Sequence, residues 1–335
     1  MSAPANTVGG AAGASSASSA SSASGASSAS SAGSAGASPV ALVGLGLVGT
    51  ALGQRMRQAG LAVLGHDRRP EACTAWRAAG GEVVASLREL GERCRCAVLA
   101  VFDTTGVLEV VEGPRDRSPA GHGAESLLDG GTLRAVIDCS TGDPEALQAL
   151  AARLAARGVA LLEAPLSGSS QQIAEGAATM LLGGDAAAVA AHDTLLDVLS
   201  PRRIHVGGAG MGARAKLATN LVLGLNRAVL AEGLVFAERL GIAPATFLEL
   251  VLATPARSDA ALAKGRQMVD GDFAPRSRIH QHLKDVQLML QGAATAGQRL
   301  PFSETHAALL RAAVASGDGD LDNAAIVRQL RRETR

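Results

Sequence analysis

Tyrosine is absent from this chain of 335 residues, and aromatic residues make up only 2% of it. So small an aromatic inventory argues against a base-stacking surface for single-stranded nucleic acid. Neither sign of charge predominates: 31 Lys and Arg stand against 31 Asp and Glu. No basic run exceeds a few residues, so a nucleic-acid or membrane-surface protein is not expected. No apolar stretch free of charge approaches the length of a membrane span. Cysteine is scarce as well. Cys73, Cys94, Cys96 and Cys139 match neither zinc-ligand spacing nor a disulfide framework, and they read as buried thiols in a reducing, cytoplasmic setting. His280 and His282 are two apart, point in different directions on a helix and read as surface or packing residues, so no metal is expected.

Residues 1–38 contain Ser, Ala and Gly with hardly anything else, and no Lys, Arg, Asp or Glu. Such a segment cannot bury a core and is expected to be a disordered tail. It has neither the Arg of a mitochondrial transit peptide nor the charged and apolar regions of a secretory signal.

Lysine is the last scarcity. Only Lys216, Lys264 and Lys284 occur among the 31 basic residues. Arginine keeps its proton at any ordinary pH, whereas a desolvated lysine can release it. A lysine retained in such a background is a candidate general base. Lys216 and Asn220 are four apart, so on a helix they share a face and can address one ligand. The plain alternative for this segment is a solvated helical lysine.

What is present begins with Pro39-Val40-Ala41-Leu42-Val43, a short apolar run that reads as a buried strand. Gly44-Leu45-Gly46-Leu47-Val48-Gly49 follows, then an amphipathic helix start from Thr50. In this context Gly44 permits a tight turn, Gly46 lets the backbone approach a pyrophosphate, and Gly49 lets helix and strand pack closely. The helix N-terminus faces the phosphate charge. A second strand, Leu61 to Leu64, leads to His66-Asp67-Arg68-Arg69. Asp67 stands where a ribose hydroxyl would be bound and favours NAD; Arg68 and Arg69 would suit the 2′-phosphate of NADP. The balance leans to NAD.

Further strand-like runs are Ala97 to Val101, Ala135 to Asp138, Ala160 to Leu162 and Ala178 to Leu182, with helical stretches such as Pro144 to Arg157 between several of them. This is the βαβ rhythm of a parallel sheet covered on both faces. A polar loop is expected near residues 111–131. After Gly207-Gly208-Ala209-Gly210-Met211-Gly212 the pattern turns helical, broken by Pro244, Pro255, Pro275 and Pro301. The segment from Ala213 to Leu240 is apolar on most faces and should be buried between domains or subunits. The expected architecture is α/β: a Rossmann-type doubly wound parallel sheet over residues 39–205, then an all-helical domain over 206–335. The ligand cleft should lie between them, at the carboxyl ends of the strands.

Taken together, five motifs in order over about residues 39–332 resemble the β-hydroxyacid dehydrogenase family, which includes 3-hydroxyisobutyrate dehydrogenase and tartronate semialdehyde reductase. The glycine-rich turn is the first, with Val48 where the family usually has Met. Asp138-Cys139-Ser140-Thr141 looks like the family's D-x-S-T strand end; the resemblance implies that Ser140 and Thr141 lie near the nicotinamide and its ribose. Glu163-Ala164-Pro165-Leu166-Ser167-Gly168-Ser169 is similar to D-A-P-V-S-G-G. That implies a substrate carboxylate on Ser167 and Gly168, in a pocket reshaped by Ser169 in place of the second Gly. Gly212 to Asn220 looks like G-x-x-x-K-x-x-N-N, with Lys216 at the catalytic lysine, Asn220 as its helper and Thr219 where the first Asn is common. Lys284-Asp285 is similar to the family's K-D pair, whose lysine lies close to cofactor and substrate. Lys264 matches no family role and is expected to be solvated.

The resemblance implies an NAD- or NADP-dependent oxidoreductase that moves a hydride between nicotinamide and the hydroxyl-bearing β-carbon of a small acid, with Lys216 as general acid/base. It also implies a homodimer or homotetramer built through the helical domain. Two alternatives remain: an imine-reductase-like enzyme of the same fold, which would lack the lysine, and a non-catalytic dinucleotide-binding module. The plain structural alternatives are that Ser140 caps the segment after its strand and that Ser169 and Ser170 are ordinary loop hydroxyls.

Overall fold

Runs of four apolar residues with both faces buried make the strands at the centre of the chain. The computed structural model describes residues 38–114 and 125–333. All but the last residue of the expected tail, and part of the expected polar loop, lie outside the described residues. The strands are β1 (Val40–Val43), β2 (Val63–His66), β3 (Glu82–Val83), β4 (Cys96–Leu99), β5 (Ala135–Asp138), β6 (Ala160–Glu163), β7 (Leu166–Ser167), β8 (Thr179–Gly183) and β9 (Arg202–Gly207). They form one sheet in the order β3-β2-β1-β4-β5-β6-β8-β7, with β9 also pairing to β8. The strands from β3 to β6 are parallel, as a doubly wound sheet requires, and Asp138 lies in register with Glu163. β8 departs from the parallel expectation: it runs antiparallel to β6 and β7 and parallel to β9. β3, β7 and β9 were not expected. Two of them are only two residues long, and β9 opens with Arg202-Arg203, so an apolar-run criterion passes over it.

The helices are α1 (Leu47–Gln58), α2 (Pro70–Ala78), α3 (Leu87–Arg93), α4 (Thr104–Glu112), α5 (Pro144–Ala155), α6 (Ser170–Ala174), α7 (Ala186–Ala191) and α8 (Asp193–Leu199) in the sheet half. The helical half holds α9 (Met211–Arg239), α10 (Pro244–Ala253), α11 (Asp259–Asp270), α12 (Ile279–Thr295), α13 (Pro301–Ala315) and α14 (Ile326–Glu333). Pro at the first turn starts α2, α5, α10 and α13, where the missing N–H costs nothing. Asp143 caps α5 by accepting from the N–H of Ala146 at 2.8 Å.

Each face of the sheet buries its own cluster. Leu42, Leu52, Met56, Trp76 and Leu162 pack on one side, and Val43, Leu99, Leu147 and Leu150 on the other. A third core, with Leu230, Leu234, Val286 and Leu310, belongs to the helices. Each such side chain contributes about 1.5–3 kcal/mol when fully buried. By length and composition alone α9 is long and apolar enough to cross a membrane, although Arg227 and other charged residues interrupt it. Half of its most apolar window is buried inside the protein, and its buried residues include Lys216 and Arg227.

Lys264 is not solvated. It is 7% exposed and donates to both carboxylate oxygens of Asp322 at 2.8 Å. Asp322 also accepts from the N–H groups of Arg276, Ser277 and Ala324. The pair clasps α11 to the segment just before α14, and through Arg276 and Ser277 to the turn before α12; its partners lie 58 residues apart, beyond the reach of a local pattern. His282 is a packing residue: it is 4% exposed and its ring centroid lies 5.1 Å from that of His306.

Candidate active site

The glycine-rich turn needs its glycines. Gly44 has φ +93°, and a Cβ there would lie 2.4 Å from the carbonyl oxygen of Ala100. A Cβ on Gly49 would lie 1.7 Å from the carbonyl oxygen of Gly44, so α1 could not pack against β1. Gly46 supplies no side-chain cap to α1, and the first N–H groups of this helix stay available to an anion. A cleft of about 510 Å³ opens here, lined by Leu45, Gly46, Thr50, Arg69, Gln171 and Arg278. Bare helix N–H groups, a side-chain-free Gly46 and two guanidiniums fit the phosphates of a dinucleotide.

Asp67 directly follows β2, at the strand end the sequence implied, and its carboxylate is already engaged. It accepts from the N–H of Leu45 at 2.8 Å and from the N–H, Nε and Nη2 of Arg69 at 2.9, 3.1 and 3.0 Å. Burial raises its pKa, but the hydrogen bonds from Arg69 and Leu45 outweigh burial and hold it below the usual carboxylate range. Arg69 therefore faces this corner of the cleft; Arg68, exposed like Arg69, does not engage the Asp67 carboxylate.

At the carboxyl ends of β4 and β5 the Ser140 hydroxyl accepts from the N–H of Val101 at 3.1 Å, and its own N–H donates to Asp138 at 2.9 Å. Ser140 thus ties two loops together and does not cap α5. Lys284, on α12, reaches across to these loops. Its Nζ donates to the carbonyls of Phe102 at 2.9 Å and Thr141 at 2.6 Å, and pairs with Asp285 at 3.0 Å.

Lys216 and Asn220 share a buried face of α9, 8% and 7% exposed. The Nζ of Lys216 donates to the carbonyl of Leu166 at 2.7 Å, next to Ser167 and Gly168. Asn220 donates to Asp285 at 2.8 Å. Asp285 thus joins Asn220 to Lys284, a role that sequence reading missed although the residue belongs to the Lys284-Asp285 pair. Burial pushes the pKa of Lys216 down; Asp285 opposes this, while Lys284 and Arg227 reinforce it. A buried lysine whose hydrogen bond goes to a neutral carbonyl is suited to exchange a proton. Ser169 stands slightly apart. It begins α6 in a reciprocal capping box with Gln172, so its hydroxyl is spent on the helix. The Ser-x-x-Gln spacing carried that signal in the sequence.

The geometry places a glycine-rich turn, two strand-end hydroxyl residues and a buried lysine around the strand ends. The family model described as the NAD binding domain of 6-phosphogluconate dehydrogenase matches residues 39–208, about half of the chain. The chain belongs to the β-hydroxyacid dehydrogenase family. A second model, NAD-binding of NADP-dependent 3-hydroxyisobutyrate dehydrogenase, matches residues 210–330. An L-threonate dehydrogenase of Cupriavidus necator is 28% identical over 290 residues, covering 86% of this chain and 95% of that protein. A crystal structure of 3-hydroxyisobutyrate dehydrogenase from Salmonella typhimurium is 27% identical, with TM-score 0.74, covering 86% of this chain and 98% of the other. An imine reductase from Pseudomonas sp. shares the fold at 20% identity and TM-score 0.55, covering 87% and 99%. Members of the β-hydroxyacid dehydrogenase family are thus similar to this chain along both of its halves, and the chain is an NAD(P)-dependent oxidoreductase acting on a CH–OH group.

Proposed function

We propose that the chain oxidises the β-hydroxyl of a small β-hydroxyacid, of the 3-hydroxyisobutyrate or glycerate/tartronate semialdehyde type, or reduces the matching semialdehyde, with Lys216 as general acid/base. The observation that carries this reading is the Lys216 ammonium, buried and hydrogen-bonded to the carbonyl of Leu166 beside Ser167. When bound, the nicotinamide supplies the hydride acceptor or donor. The substrate carboxylate is held by the Ser167 hydroxyl and the backbone at Gly168, with Ser169 shaping the wall through α6. Lys216, neutral, takes the hydroxyl proton in oxidation and returns it in reduction; Asn220 orients the reacting oxygen. The cofactor is held by Gly44, Leu45, Gly46, Val48 and Gly49 at the pyrophosphate, by Asp67 with Arg68 and Arg69 at the adenosine ribose, and by Ser140, Thr141 and Lys284 near the nicotinamide.

NAD over NADP rests on Asp67. Arg69 covers that carboxylate, and a ribose hydroxyl must share it or displace the guanidinium. Removing Arg69 should therefore tighten NAD more than NADP. The lysine weighs against an imine-reductase-like activity, and a non-catalytic module has no need of it. We divide the chain into a tail (1–38), a cofactor domain (39–205) and a helical substrate and assembly domain (206–335). A homodimer or homotetramer is supported by the exposed apolar stripe Val222, Val229, Phe236 and Leu240 on and just after α9, 57–66% exposed. A cytoplasmic location is supported by four unpaired thiols. The test is nicotinamide absorbance with NAD or NADP and a panel of 3-hydroxyisobutyrate, glycerate, 3-hydroxypropionate, threonate and serine. Turnover of any acid supports the reading; tight cofactor binding without turnover of any supports the binding module instead.

A further inference from the structure

The first turn of α9 has no cap of its own. Gly210, its N-cap, carries no side chain, and an N-cap side chain or a reciprocal N3 partner would normally accept from the orphan N–H groups. Glu163, at the end of β6, takes both parts from 47 and 50 residues away. One carboxylate oxygen accepts from the N–H of Gly210, and the other from the N–H of Ala213, the N3 residue, at 2.7 Å. A negative charge at this helix end is also favoured by the helix dipole. Nothing separates helix from sheet here. A Cβ on Gly183 would lie 2.4 Å from the nitrogen of Gly212, and a Cβ on Gly212 would lie 2.9 Å from the Cβ of Glu163.

Lys216 lies one turn beyond Ala213, and its Nζ is held by Leu166, three residues after Glu163. The segment from Glu163 to Leu166 thus grips α9 twice, once at its backbone and once at the lysine. We infer that Glu163 is a positioning residue for the general base: it fixes the axial place of α9, and through it the place and dryness of the Lys216 amine. Both of its carboxylate oxygens are taken by the backbone of α9. The inference rests on the proposed role of Lys216.

The chain's three lysines make a direct test possible. Lysine labelled with ¹³C at Cε gives three signals, and their pH titration follows each amine without any substrate. Glu163→Gln keeps the shape but sets an NH₂ against one of the two N–H donors; Glu163→Asp keeps the charge but falls one methylene short. In both, the Lys216 midpoint should rise toward that of an ordinary lysine while Lys264 and Lys284 hold still. The pH limb of kcat/KM should follow it, and kcat should fall about tenfold in Glu163→Gln and less in Glu163→Asp, as for a misplaced catalytic group. Cofactor dissociation constants should stay within about twofold, since the glycine-rich turn is untouched. An unmoved Lys216 signal with unchanged kcat in both variants overturns the inference. So does a uniform change in all three lysines with loss of cofactor binding and of a cooperative thermal transition, which would make Glu163 a stability residue only. Lys216→Met, measured alongside, separates the two levels: if it leaves turnover intact, the role of the lysine fails and the anchor has nothing to position.

Discussion

Lys216 and Lys264 sit in two regions of the helical half, and both are almost fully enclosed, at 8% and 7% exposure. Burial pulls the pKa of each downward. Around Lys264 the enclosure is answered by a carboxylate at hydrogen-bond distance on two sides, and three further N–H groups bind the same carboxylate. Around Lys216 the direct partner is a neutral carbonyl, and the neighbouring charges pull in opposite directions. Burial alone therefore does not assign a lysine its work. The partner does: an ion pair makes a clasp, and a carbonyl leaves a proton free to move.

The sharpest way to break this comparison is to remove each amine. Lys216→Met should lower kcat by roughly 10²–10⁴-fold, the usual contribution of a positioned acid or base, while fluorescence titration still shows cofactor binding. Lys264→Met should instead lower stability, by about 3–5 kcal/mol, because Asp322 would be left charged and buried; denaturant unfolding measures it. Pairing it with Asp322→Asn should recover part of that loss. A large loss of turnover in Lys264→Met at a temperature where it remains folded would erase the distinction.

Acid should act on the histidine packing near Lys216. His306 is pushed down to about 4 by burial and by Arg227, and His282 is drawn well below its ordinary value of 6.5 by the same causes. Both are neutral in the folded protein, and the unfolded chain binds more protons between those values. Stability from these groups is thus complete above about pH 6.5 and drains away as the pH falls toward about 4. Thermal melting across that range should show the decline, and His306→Asn should flatten it.

The smallest effect concerns Lys216 itself. Because its pKa lies below that of an ordinary lysine, oxidation should gain rate as pH rises through it, and reduction should lose rate over the same interval. Lys284→Gln removes one of the cations that depress it, so the Lys216 midpoint, followed by NMR in the cofactor-free protein, should rise. A fall would contradict the electrostatic account.

The parts of this molecule that a sequence displays are those whose cause is local. The strands β1, β2, β4, β5, β6 and β8 announce themselves as apolar runs, and the glycine-rich turn as a spacing. The Lys216–Asn220 interval shows a shared helical face. What stayed hidden depends on residues far apart. Glu163 meets the start of α9 across 47 residues, and Lys264 finds Asp322 across 58. Arg69, rather than Arg68, turns back onto Asp67 because of the local bend at the end of β2. The capping box of Ser169 and Gln172 was local and legible, yet a serine in a substrate motif invites a chemical reading before a structural one.

α9 begins against β8 and ends inside the helical core, a continuous rod of 29 residues, about 43 Å long. A joint that opens like a clamshell needs slack chain at the crossing, and here the crossing is a helix gripped by Glu163 at its first turn. The halves are therefore members of one frame. At the rim the Lys284 side chain adds a second tie, from α12 to the carbonyls of Phe102 and Thr141.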